Sequence, residues 1–106
     1  MALFGKMSID ESRLEYIKSI RKLGSTCDLL VSYAENTEHL TKMKELAEEV
    51  KYFLPIEKDS IKDIDKKVSN VLGDLKILLY TNRDPYRVEG KIKELDKLID
   101  ERNSKI

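Results

Sequence analysis

The chain has 106 residues, 41% hydrophobic and 38% charged, with 20 Lys+Arg balancing 20 Asp+Glu. One Cys and one His exclude disulfide scaffolds and Cys/His metal modules, and a net charge of zero argues against a cationic nucleic-acid binder. Each half of the chain is itself nearly neutral, so neither is a basic arm or an acidic tail.

With only two Pro and four Gly, the dominant signal is helical spacing, and four helices are predicted at about 8–35, 37–54, 58–82 and 85–104. Residues 1–7 are read as a disordered tail, and 8–106 as one domain. The first helix is expected to start at Ser8-Ile9-Asp10-Glu11, an S-x-x-E capping box. Tyr16, Ile20, Leu23, Cys27, Leu30 and Ala34 continue it in steps of four and three, and Gly24-Ser25-Thr26 offers a point where this helix could break. That phase fails after Ala34, which places a bend at Asn36-Thr37 with either residue able to cap the second helix.

A second stripe comprises Leu40, Met43, Ala47, Val50 and Leu54, and Pro55 is expected to end it. The third carries Ile61, Ile64, Val68, Val71, Leu75 and Leu78. Apolar residues seven apart, from Leu40 to Leu75, leave open a single long helix kinked at Pro55 and a coiled-coil-like seam; Asp59 and Ser60 favour a turn. At Asp84-Pro85 an N-cap precedes a Pro in the first helical position, opening a fourth helix with Val88, Ile92, Leu95, Leu98 and Ile99 and a fraying end. Four such amphipathic stripes bury themselves most economically against one another, so the predicted fold is an all-α antiparallel helical bundle.

The sequence contains no catalytic constellation. Cys27 lies on an apolar stripe and reads as a small buried hydrophobe. Asp59, Asp63 and Asp65 lack the calcium-loop pattern and read as a solvated face and a helix start, and no metal or cofactor is expected. His39 reads as a solvated imidazole, yet His39-Leu40-Thr41-Lys42 resembles histidine phosphotransfer domains, in which an exposed His accepts a phosphoryl group beside a Lys. The resemblance implies His39 as acceptor and Lys42 as electrostatic helper, although that family places Gly after the Lys and this chain has Met43.

The third segment is apolar on more than one face. Gly73, Ile77 and Tyr80 share a face distinct from the core stripe, and Tyr86 and Gly90 are one turn apart on the fourth helix. These five residues are the candidate partner-binding site. The expected function is a non-catalytic protein-interaction or scaffold module that self-associates, a homodimer in the first instance, with histidine phosphotransfer as the alternative. With no membrane span, no signal-peptide core and little anchoring area at Leu3-Phe4, the expected location is cytoplasmic, without stable membrane association and without nucleic acid.

Overall fold

The computed structural model describes the backbone of residues 2–81 and 84–106 and the side chains of 11–81 and 84–106. It contains four helices: α1 (Ala2–Ala34), α2 (Leu40–Lys51), α3 (Asp59–Thr81) and α4 (Pro85–Lys105). Residues 2–7, expected as a tail, have helical backbone as the first turns of α1, and the side chains of 1–10, Ser8 of the capping box among them, lie outside the described residues; the helical backbone already includes Ser8, so the helix does not start there.

α1 is continuous through Gly24, where the sequence left room for a break. Gly24 instead admits α2 closely: a Cβ there would lie 3.3 Å from Lys51 Cγ and 3.5 Å from its Cα. The bend after Ala34 is real, and Asn36 makes it by adopting φ 65, a left-handed conformation that Asn tolerates better than most residues. Neither Asn36 nor Thr37 caps α2, which is shorter than expected at both ends. Thr37 Oγ1 donates to Ala34 O at 2.6 Å and accepts from His39 N at 3.2 Å, and His39 takes the N-cap position without a side-chain cap.

Pro55 falls in a non-helical linker, residues 52–58, so α2 and α3 are separated by a turn and the seven-residue pattern does not form one unbroken seam. Asp84 caps α4 as predicted, accepting from Tyr86 N at 3.0 Å and Arg87 N at 3.3 Å.

The helices pack in a ring. α1 contacts α2 and α3, α4 contacts α3 and α2, and the diagonal pairs α1/α4 and α2/α3 do not meet among the described residues. Side-chain partners give the directions. Tyr16 meets Asp65 near the start of α3 and Tyr33 meets Tyr80 near its end, so α1 and α3 run parallel. Lys51 reaches Asp28, and Lys91 reaches Asp74 while Arg102 reaches Asp65, so α1/α2 and α3/α4 are antiparallel hairpins. The linker 52–58 must therefore cross the bundle end diagonally.

The apolar stripes form the core. Cys27, Leu30, Ala34, Met43, Val68, Leu75, Leu95 and Ile99 are fully buried. Each fully buried side chain of Leu or Ile size contributes roughly 1.5–3 kcal/mol before chain entropy is counted. Leu54 leaves its predicted stripe and is exposed, because Pro55 has already turned the chain out of helix.

Two expectations from sequence are overturned. Asp65 is not on a solvated face and Arg102 does not fray: they are 6% and 1% exposed and form an ion pair, Arg102 Nε donating to Asp65 Oδ1 at 2.7 Å. The same guanidinium donates from its second terminal nitrogen to Leu54 O at 2.6 Å and stacks over the Phe53 ring at 4.1 Å. Tyr16 donates its hydroxyl proton to Asp65 Oδ2 at 2.6 Å and accepts from Ile56 N at 3.3 Å. Helices α1, α3 and α4 and the linker thus meet at one latch, in which each polar group has a partner.

Breaking one side of a buried pair costs more than the pair is worth, because the partner stays desolvated. Arg102→Met is expected to destabilise the fold by about 3–5 kcal/mol in urea unfolding, and adding Asp65→Leu is expected to restore more than half of that loss. Burial, and next the hydrogen bond to Asp65, raise the Tyr16 pKa above its ordinary 10.0. The folded state therefore holds this proton more tightly than the unfolded chain. Its contribution is complete below pH 10 and is lost as pH climbs through the folded pKa. Tyr16→Phe is expected to flatten that part of the alkaline decline in stability, read from denaturant midpoints across a pH series.

Candidate interaction surfaces

Once the core is closed, α3 still presents large apolar side chains to water. Ile77 is 65% exposed and Tyr80 is 74% exposed. Val71, Leu72, Leu75 and Leu79 already fill the inward side of α3, so the core is complete without them. Gly73 turns toward α1, away from Ile77, and a Cβ there would meet nothing within 4 Å.

The structure brings the five sequence-derived residues together only in part. Ile77 and Gly90 line one shallow groove of about 520 Å³ between α3 and α4, with Asp74, Leu78, Arg87 and Lys91 around them. Tyr80 turns to the other side, its ring 5.6 Å from that of Tyr33 on α1 and tilted by 58°. Tyr86, on the first turn of α4, is 85% exposed. Gly90 also has open space where a Cβ would be. The surface is therefore a strip on α3 with a groove leading to α4.

A second surface escaped the reading of the sequence. Between the parallel helices α1 and α3 runs a groove of about 610 Å³. Lys22 borders it from α1 and Lys62, Lys66 and Lys76 from α3, while Asp65 is the one acidic residue among its walls. The helical spacing of Lys62, Lys66, Ser69, Gly73 and Lys76, in steps of four, three, four and three, was the available signal.

His39 is not the solvated imidazole expected. Its side chain is only 13% exposed, in a hollow shared with Lys42, Glu89, Ile92 and Lys93. Glu38 Oε1 lies 3.7 Å from Nε2. Lys42 is directed elsewhere, to Asp96 at 3.2 Å and Glu45 at 3.7 Å, and its pKa is raised chiefly by the Asp96 hydrogen bond.

Cys27 is fully buried as expected, and burial pushes its thiol up to about 12. Thiolate, the reactive form, is therefore scarce at neutral pH. An aromatic disulfide reagent at pH 8 is expected to leave Cys27 unmodified in the native chain and to titrate one thiol after unfolding in guanidinium.

Among the described residues no helix is long and apolar enough to cross a membrane, and no group of three or more His, Cys, Asp or Glu side chains is gathered closely enough to hold a metal ion. Compared with known proteins, the chain matches no family model, no curated protein and no solved structure.

Proposed function

We propose that this protein is a non-catalytic helical interaction module of the cytoplasm that pairs with a second copy of itself through the outer face of α3. The observation that carries this reading is the exposure of Ile77 and Tyr80 on a helix whose inward side is already filled. Exposed aromatic and branched aliphatic residues on a rigid helix are suited to anchor an interface, since desolvating them on association is favourable and costs little chain entropy.

A second copy is the occupant best matched to this face. The groove beside Ile77 carries both signs of charge, with Asp74 paired to Lys91 at 3.1 Å and Arg87 pointing to Asp84 at 3.5 Å. A two-fold pairing sets the same patch against itself, and a patch of mixed sign does so without net repulsion. The open space over Gly90, in the groove beside Ile77, lets a facing helix approach closely.

Phosphotransfer at His39 has weaker support. A phosphoryl group there would sit near Glu38 and Glu89, and the lysine that would steady it is held by Asp96.

Sedimentation over a concentration series tests the pairing. The native chain is expected to pass from monomer to dimer, and Ile77→Asp to weaken the dimer roughly thirtyfold, the equivalent of about 2 kcal/mol. A chain that stays monomeric at every concentration, and is indifferent to Ile77→Asp, overturns the reading.

A further inference from the structure

The four seams of the ring are not equivalent. Lys51 and Asp28, 3.0 Å apart, clasp α2 to α1; Lys42 and Asp96, at 3.2 Å, clasp α2 to α4; Lys91 and Asp74, at 3.1 Å, clasp α4 to α3. The seam between α1 and α3 has no such clasp among the described residues. It is tied at one end by Tyr16 and Asp65 and at the other by the Tyr33–Tyr80 ring contact, and between these ties it stays open.

The charges along that opening are of one sign. Lys22, Lys66 and Lys76 form no ion pair among the described residues, and Lys62 has only the face of the Tyr16 ring, 5.0 Å away. Asp65 cannot neutralise them, since both its oxygens are engaged by Arg102 and Tyr16. In a chain of zero net charge, four lysines gathered on one groove with no free carboxylate are a local surplus.

The floor tells what shape of partner fits. Leu23 and Leu72 lie at the bottom, and Ser19, Ser69 and Gly73 keep the walls low. Small side chains between two parallel helices allow a third helix to settle into the furrow at ordinary helix-packing distance. The aliphatic stems of the lysines extend the apolar wall, while their ammonium groups stand at the rim. From Lys62 to Lys76 the rim runs about 21 Å along α3, some four turns of helix.

We infer that the groove between α1 and α3 is a docking site for an acidic amphipathic helix of a partner protein, which lays a narrow apolar stripe on Leu23, Leu72 and Gly73 and sets carboxylates against Lys22, Lys62, Lys66 and Lys76. This is the arrangement by which flanking charges select partners in helix–helix seams. A nucleic acid fits the site less well, because the groove offers one partly covered tyrosine for stacking and an aliphatic floor.

Fluorescence anisotropy with two labelled peptides of about 18 residues tests the site. Both carry Leu on a narrow stripe, with Glu on the remaining face in one and Lys in the other. The acidic peptide is expected to bind, to weaken steeply with added salt, and to lose at least about tenfold in affinity with the triple variant Lys22→Gln, Lys66→Gln, Lys76→Gln, all at exposed positions. Ile77→Asp is expected to leave this binding unchanged, so failure here and failure of self-association are told apart. Circular dichroism of the triple variant checks that the fold is intact, and Gly73→Leu, which fills the groove without altering charge, is expected to block the peptide as well.

Equal binding of the acidic and basic peptides overturns the proposal, as does undiminished binding to both groove variants. Two further outcomes overturn it in favour of another occupant: a single-stranded oligonucleotide, or vesicles of anionic phospholipid, binding the native chain tightly while the acidic peptide does not.

Discussion

A carboxylate and a guanidinium shut away from water at one end of the bundle set the path of the chain. The pair of Asp65 and Arg102 ties α3 to α4, Tyr16 brings in α1, and the Leu54 carbonyl and the Ile56 amide hold the linker that descends from α2. Two charges so deeply buried add little net stability over an apolar substitute. Their directional bonds define a register that greasy contacts alone do not. The diagonal course of residues 52–58, and with it the parallel placement of α1 beside α3, results from that register.

The seams of the ring are covered unequally. Antiparallel hairpins bring the helices of each pair together along their length, and a lysine–carboxylate clasp closes each of those seams. The pair α1/α3 has no connecting turn of its own and, among the described residues, no ion pair across its seam; tyrosines tie it near its two ends. The result is a molecule whose core is complete yet whose outer surface around α3 is unfinished on both flanks: a lysine-rimmed groove toward α1 and the exposed Ile77 toward α4. Cys27, by contrast, is deeply covered and the His39 side chain is crowded among its neighbours.

The architecture was legible because periodicity reports burial directly. The stripes from Ile20 to Ala34 and from Val88 to Ile99 are buried as their spacing implies, and Asp84-Pro85 opens α4 as cap chemistry requires. The latch was hidden in the same pattern. Asp65 stands in the row Ile61, Asp65, Val68, Leu72, and Arg102 extends the row Val88, Ile92, Leu95, Ile99. Two opposite charges, each continuing an apolar row, signal a buried pair, but reading them that way requires knowing that α3 and α4 lie side by side. The outer strip on α3 was half legible. Spacing placed Ile77 and Tyr80 off the core stripe, whereas the choice between a wrapped helix and an open one depends on the order of helices around the ring. The lysine groove needed that order as well, since Lys22 and Lys66 are far apart along the chain.

The diagonal linker also bears on the order of assembly. Within each hairpin the turn is short, so α1 meets α2 and α3 meets α4 at small loop-closure cost, whereas joining the two hairpins brings together residues as distant as Tyr16 and Asp65. The natural cooperative units are therefore the hairpins themselves, with the polar latch as the hasp between them. Under native conditions the amides around residues 52–58 become the sensitive reporters of the moment when the two halves part, since their release needs no helix to unwind.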